Sequence, residues 1–557
     1  MKIQLNKKAK FSIFLLIITS LVLLSAKLSE KDDFELLKNL TIYHDVVRDL
    51  RLYYVDDKDV SKLVSQSIDD MLDKLDPYTV FYPESQIEEY TIMTTGSYAG
   101  IGATVSEIDG KLVITEINKN QAANIAGLKI GDQIISVNQK KIINLKNENL
   151  NILLSGEPGS KLSLIIERNK SEILPFNLTR TKIENKNITY STITPKKNIY
   201  IKLASFMPNA ADDILKEIEK YQKQEKCKGI ILDLRDNPGG LLIEAVKIVN
   251  LFVEKGELIV STKGKDAEKN TNFYTTNNAY DTNIPITVLV NNMSASASEI
   301  VAGSLQDLDR AVVIGQRTYG KGLVQITKDL SYNSKIKITI AKYYIPSGRC
   351  IQIKDYSHRN SSGAVGNIPD SLIQSFKTKN GRVVFDGGGV IPDIKDNDEE
   401  NEKFLKFVQE NFLIFKYGCE ISNSLNSEEK TSDYNISDKL YYEFENYIQT
   451  SKTIFESDAQ KQLLGLKNNI NLENNSNKTE IISELNIIEK KITPNISLYL
   501  QKYVNILKPQ IENEVKKHFL FTEDLYYSNL KNDLLVNKAE NILENSNQYS
   551  VILRKNK

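Results

Sequence analysis

At 557 residues the chain is too long for one hydrophobic core, so two to four domains are expected. Its 41% hydrophobic and 26% charged content is that of ordinary globular protein, and 72 basic against 72 acidic residues give no sign of a nucleic-acid partner. Cys227, Cys350 and Cys419 lie far apart without a CxxC, which supports neither a zinc knuckle nor a disulfide framework and suggests buried, inert thiols. Only three histidines occur, His44, His358 and His518, although most hydrolytic mechanisms lean on histidine.

Lys2, Lys7, Lys8 and Lys10 precede a charge-free run, Phe11–Ala26. A basic start and an apolar run suit a secretory segment better than a buried core helix. The run is slightly short of the ~20 residues a spanning helix wants. Leu24 spoils the small-residue cleavage pattern and no cysteine follows, which excludes a lipoprotein. The expectation is export, with either cleavage or retention of residues 11–26 as an inner-membrane anchor, and hence a periplasmic, cell-envelope location.

From Asp33 to Leu75 apolar residues recur near the 3.6 period, with one helix through Phe34, Leu37 and Leu40 and a second from about Val60, stopped by Asp76-Pro77. From Gly96 to about Arg180 the pattern changes to short strands and glycine turns. Asp109-Gly110 marks a hairpin, Asn120–Ala126 a short helix closed by Gly127, Asn147–Leu154 a further helix and Lys161–Arg168 a strand. Gly100-Ile-Gly102 and Ala126-Gly-Leu-Lys-Ile-Gly-Asp-Gln-Ile134 resemble the carboxylate-binding loop and the second motif of protease-type PDZ domains. A glycine loop offers unblocked amides to a chain-terminal carboxylate, and the peptide then adds as a strand beside Ala103–Val105. Ile101, Leu150 and Leu154 are the expected apolar floor for its last side chain.

The next part alternates strand and helix: Ile199–Leu203, Ala211–Gln224, Gly229–Leu234, Leu241–Phe252. The turn Arg235-Asp-Asn-Pro-Gly-Gly240 between strand and helix can hold a developing negative charge on its amides. Ile286–Asn292 is a further strand, followed by Met293-Ser-Ala-Ser-Ala-Ser-Glu299. Ser296-x-x-Glu299 fits a helix capping box, which is a sufficient reason for the serine by itself. A hydroxyl at a helix start also sits where amides can hold an oxyanion.

Such a serine needs a base, and no histidine is close in sequence. Lysine serves if burial keeps it neutral. Lys321, between Gly320 and Gly322, has no neighbouring side chains to obstruct its approach, and Gln325 can orient its amine. Gly315-x4-Gly320-Lys321 nearly matches a phosphate-binding loop, but Gly322 replaces the magnesium-binding hydroxyl and a β-like segment follows where a helix should. Beyond Lys395 the chain is rich in Lys, Asn and Glu, with patchy helical periodicity at Phe404, Phe407, Val408 and Phe412 and no legible motif.

Asp233–Gly240, Asn291–Glu299, Thr318–Gln325, Tyr344–Arg349 and Leu75–Thr79 together resemble the carboxy-terminal processing peptidases, the tail-specific serine proteases. The resemblance spans about residue 40 to Asp393. It implies a multidomain α/β chain with a crotonase/ClpP-like peptidase core, an inserted PDZ domain and helical N- and C-terminal regions. The boundaries are 1–30 for the signal or anchor, 31–90 for the N-terminal helices, 91–182 for the PDZ domain, 183–395 for the core and 396–557 for the helical extension. It implies Ser296 as nucleophile, the family's 25-residue spacing to the base Lys321 choosing it over Ser294 and Ser298. It also implies Gln325 as supporting amide, and the amides of Ala297 and of Gly239 or Gly240 as oxyanion donors. No metal or cofactor is implied. The expected partners are protein substrates with apolar C-termini, with a homo-oligomer open. The competing reading is an inactive PDZ scaffold. Residues 355–386 look like an insertion that bears on access to the site.

Overall fold

In the computed structural model the described residues are 33–87, 90, 97–142, 153–184, 186–360, 363–396, 403–451, 453–472 and 477–553. The apolar run 11–26 and Leu150 lie outside them. Among the described residues, no helix is long and apolar enough to cross a membrane. The chain forms two compact units.

One unit holds the described residues up to Pro83 together with Thr327–Ile338. Residues 33–53 are one helix; Val60–Leu72 is another, started by Asp59, whose side chain accepts the Lys62 amide. Asp76 closes the following turn by accepting the amides of Tyr78 and Thr79 at 2.8 and 2.9 Å. Val80–Tyr82 then pairs antiparallel with Lys335–Lys337. The apolar face of the first helix, including Phe34, Leu36, Leu37 and Leu40, remains exposed.

The second unit carries the rest. Its β-rich part has Ala103–Ile108 at one end of an antiparallel sheet, followed by Lys111–Ile117, Gln133–Val137, Lys161–Arg168 and Glu172–Thr179. The hairpin turns at Asp109 and Gly110, both with positive φ, and Gly127 ends the short helix at φ 84°. Asp132 earns its place by accepting the Lys129 amide and pairing with Arg168 at 2.7 Å. The sequence reading did not include Glu172–Thr179, whose Leu174, Phe176 and Leu178 alternate on one face but which is interrupted by Pro175.

The α/β part is a six-stranded sheet of β1 (Ile188–Ile193), β2 (Asn198–Leu203), β3 (Gly229–Asp233), β4 (Ile286–Val290), β5 (Val312–Gly315) and β6 (Ile394–Lys395), in that order. Only the β1–β2 pair is antiparallel. Parallel neighbours in simple sequence order, joined by right-handed crossovers, put every crossover helix on one face. These are α1 (Ala210–Gln224), α2 (Leu242–Asn250) and α3 (Ala297–Asp307), which pack on Ile199, Ile201, Ile230, Leu232, Val288 and Val290. The strands are apolar on their other face too, as buried parallel strands are. Tyr200, Ile231, Leu289, Val312 and Ile314 therefore need a second cover, and α4 (Leu534–Glu544) supplies it with Val536, Ala539, Ile542 and Leu543.

The C-terminal region is helical from Lys403 to Leu553, with its own aromatic core of Phe404, Tyr417, Phe444 and Tyr503. It also touches the β-rich part: Lys416 pairs with Asp109 at 2.8 Å and Lys119 lies over the Phe521 ring. The insertion forms two antiparallel ribbons, Lys354–Arg359 with Val365–Asn367 and Ser375–Lys377 with Val383–Phe385. It is anchored at the far end of α3, where the Lys379 amide donates to the Asp307 carbonyl and Arg382 pairs with Asp309. An 11-residue helix is about 16 Å long, so this anchor is far from Ser296.

Candidate active site

The loops following β3, β4 and β5 meet at the carboxyl edge of the sheet, where open α/β folds place their sites. The β4 loop ends in Ser296, which starts α3 as the first member of a capping box with Glu299. Its backbone sits at φ 55° and ψ −113°, a region non-glycine residues rarely adopt. The three serines of this corner have different surroundings. Ser294 and Ser298 are fully buried, and their hydroxyls donate to the carbonyls of Leu234 at 2.7 Å and Asn237 at 2.9 Å. Ser296 alone of the three is partly exposed.

Glu299 holds the corner. It is fully buried, and its Oε2 accepts the Ser296 amide at 2.8 Å and the Lys321 amide at 2.9 Å. Its Oε1 accepts the Thr318 hydroxyl at 2.6 Å and the Gly320 amide at 2.7 Å. One carboxylate oxygen thus ties the serine backbone to the lysine backbone. On the carbonyl side, the buried Tyr343 hydroxyl reaches both Lys321 O and Ser296 O, the latter at 3.2 Å. Burial pushes the Glu299 carboxyl up to about 7, against the hydrogen bonds from Thr318, Lys321, Gly320 and Ser296 that favour its ionised form. Neither Glu299 beyond its capping role nor Tyr343 was visible as a site residue in the sequence. The capping box was the one available signal for Glu299.

The glycines beside Lys321 have a different cause from the one expected. A Cβ on Gly320 would come within 2.7 Å of the Ile353 side chain, and one on Gly322 within 2.8 Å of the Gln352 amide nitrogen. They let the segment around Gln352 pack against the loop, and Gln352 Oε1 accepts the Gly322 amide. Lys321 itself is half-buried. Gln325 lies on Leu323–Asp329, and its side-chain nitrogen donates to Thr339 Oγ1 at 3.2 Å.

The β3 loop brings Gly239 against the serine corner. A Cβ there would lie 2.7 Å from Ala295 O and 2.8 Å from the Ala297 nitrogen, and one on Gly240 would lie 2.5 Å from Phe206 O. The Gly239 amide is already taken by Asn237 Oδ1 at 2.9 Å, which narrows the expected pair of glycine donors to Gly240. Asn237, fully buried, also accepts the Ala295 amide and the Ser298 hydroxyl on its carbonyl, so it joins this loop to the start of α3. His358 pairs with Asp355, and His518 is buried, its pKa lowered by burial to about 4; neither hydrogen-bonds to Ser296. The cysteines are free and partly buried, and burial raises all three thiols.

In the PDZ-like part, Gly102 has φ 72°, and a Cβ there would meet the Gln121 side chain at 2.2 Å. Gly100 pairs with Thr181 in a short ribbon. Ile101 and Leu154 are only 1% and 2% exposed and belong to this domain's own core, packed with Leu112, Ile114 and Leu162.

A strained serine at a helix start, a lysine held to it through one carboxylate, and a glycine loop against the serine define a serine peptidase architecture. Comparison with known proteins agrees. Peptidase family S41 matches residues 197–357, the PDZ domain matches 90–167, and the C-terminal helical domain of a probable PDZ-protease matches 404–543. The carboxy-terminal-processing protease of Bartonella bacilliformis is 32% identical over 361 residues, covering 64% of this chain and 80% of that protein. The carboxy-terminal processing protease CtpA of Bacillus subtilis is 33% identical over 302 residues, covering 54% of this chain and 64% of that protein. Among solved structures, the photosystem II D1 C-terminal processing protease aligns at 24% identity and a TM-score of 0.37, covering 64% of this chain and 93% of that one. The chain belongs to the carboxy-terminal processing proteases of peptidase family S41, and is a serine peptidase with a PDZ domain and a helical C-terminal domain. That last domain carried no motif in the sequence reading.

Proposed function

We propose that the protein is an exported endopeptidase that captures protein C-termini through its PDZ domain and cleaves with Ser296 as nucleophile and Lys321 as base. The observation that carries the assignment is the shared oxygen: Glu299 Oε2 accepts both the Ser296 and the Lys321 amides. The neutral Lys321 amine takes the Ser296 Oγ proton as Oγ attacks the scissile carbonyl. The amides of Ala297 and Gly240 hold the resulting oxyanion. Collapse expels the amine, which leaves with the proton from Lys321. Water then attacks the acyl-enzyme and gives a proton to Lys321, and collapse frees the new carboxyl end as Lys321 returns that proton to Ser296 Oγ.

The loop Gly100–Gly102 receives the substrate's terminal carboxylate, and the chain adds beside Ala103–Ile108, which stands at the end of its sheet. The sequential sheet order with α1–α3 on one face supports a crotonase/ClpP-like core. Export rests on the basic residues before Phe11–Ala26 and places the enzyme in the periplasm, cleaved or anchored. The test is digestion of an unstructured protein with an apolar C-terminus by wild type, Ser296→Ala and Lys321→Ala. Wild type cleaves and both variants are silent; cleavage by either variant at the wild-type rate removes the mechanism.

A further inference from the structure

The C-terminal helical domain reaches the catalytic loop through one ion pair. Arg235 is the second residue of the loop Leu234–Gly240, and its Nη2 lies 2.7 Å from Asp533 Oδ2, 298 residues away in sequence. The same guanidinium grips Asp233 at the end of β3, with Nε 3.0 Å from each of its oxygens. Asp233 is fully buried and also accepts the Tyr200 hydroxyl at 2.7 Å and Lys202 Nζ at 3.3 Å. Lys202 Nζ donates in turn to the Arg235 carbonyl at 2.6 Å. Two buried or half-buried cations, Arg235 and Lys202, thus face Asp233, and only Asp533 brings the cluster to balance; Asp236, 3.9 Å from Lys202, has a largely solvent-exposed side chain.

Asp533 has a second task. Its Oδ1 accepts the amides of Leu535 and Val536 at 3.0 and 3.1 Å and so starts α4. The helix that covers the bare face of the sheet and the anion that grips the loop are therefore one element. From Arg235 the loop is tied onward without a gap. The Asp236 amide donates to Asn291 Oδ1 at 2.9 Å, and the next residue, Asn237, carries the carbonyl that holds Ala295 and Ser298.

We propose that Asp533 is a positioning residue for the loop carrying the oxyanion donor, and that its ion pair with Arg235 sets the catalytic geometry of Gly240 and Ser296. This rests on the reading of Ser296 as nucleophile with the Gly240 amide at the oxyanion. Burial alone would push Asp233 up; Arg235 and Lys202 outweigh it and hold the carboxyl below the usual range.

The experiment compares full-length wild type with Asp533→Ser, Asp533→Glu, Leu543→Ala and Ser296→Ala, measuring kcat and KM on an unfolded protein substrate and the urea midpoint. Serine keeps the helix cap but cannot reach Arg235; glutamate keeps the charge; Leu543→Ala loosens the far end of α4 and leaves the ion pair alone. The expectation for Asp533→Ser is a kcat lowered about tenfold or more with KM within about twofold, because a small displacement of catalytic donors acts on turnover. Asp533→Glu recovers most of that loss, and Leu543→Ala lowers the midpoint with kcat within about twofold of wild type. A kcat for Asp533→Ser within about twofold of wild type overturns the proposal. So does an equal loss of kcat in Leu543→Ala, which would reduce the effect to docking stability. Wild-type turnover by Ser296→Ala would instead remove the underlying serine assignment, an outcome visible in its own lane.

Discussion

Replacing Glu299 with glutamine keeps the shape of the hub and alters only what faces the two amides. The amide oxygen can still serve Thr318 and Gly320, but an NH2 then points at the N–H groups of Ser296 and Lys321. Hydrogen bonds to a charged acceptor contribute about 1.5–3 kcal/mol each, so about 3–6 kcal/mol of local restraint is lost. That restraint opposes the strain at Ser296, which at φ 55° stores about 1–3 kcal/mol. Relaxation worth about 2 kcal/mol lowers the population of the productive corner about 30-fold, since about 1.4 kcal/mol is one decade in rate. The assay is kcat on an unfolded protein substrate, with circular dichroism confirming the fold of the variant. Titration gives a second reading. The ionised carboxyl meets four donors, whereas a proton on it occupies an acceptor site that faces an N–H. With the carboxyl pushed up to about 7, its protonation lowers wild-type turnover as pH drops through about 7, and Glu299→Gln keeps only the acid limb that protonation of the Lys321 base imposes. A folded Glu299→Gln enzyme with kcat within about twofold of wild type would refute the hub's role.

The fully buried pair of Arg349 and Asp307, 2.8 Å apart at the end of α3, predicts that Arg349→Met leaves an uncompensated charge and costs about 3–5 kcal/mol, read from the urea midpoint. An unchanged midpoint would contradict it. Ser298→Ala removes the hydrogen bond to Asn237 O and lowers stability by about 1–2 kcal/mol, and Ser294→Ala, which loses the bond to Leu234 O and the one accepted from the Asn291 amide, costs about 2–3 kcal/mol; both leave a measurable kcat, and abolition of turnover by either would mean that the wrong serine has been assigned.

Much of the site was legible because it is local. The strand-to-helix corner at Ser296, the glycine turn after Asp233 and the PDZ-type motifs all lie in short windows with strong punctuation. The choice of Ser296 among three serines rested on spacing in a family. The difference the sequence could not show is tertiary: the hydroxyls of Ser294 and Ser298 donate to the β3 loop. Glu299 was in view as a capping residue, yet its grip on Thr318, Gly320 and Lys321 depends on a loop 19 to 22 residues away folding back over α3. For Gln325 the strand places the side-chain nitrogen beside Thr339, a neighbour the sequence did not show. The C-terminal region gave no motif, and the part of it that meets the sheet, α4, does so by apolar packing. The apolar runs of β3 and β4 did demand two covering layers, and the crossover helices could supply only one. Nothing local in Leu534–Glu544 names the sheet as its partner.

The most direct test of the central claim is the site of covalent trapping by a fluorophosphonate probe, mapped by peptide mass spectrometry. The adduct is predicted on Ser296 in the wild-type enzyme and absent from Lys321→Ala under the same conditions. An adduct on Ser294 or Ser298, or equal labelling of Ser296 without Lys321, would contradict the serine–lysine account.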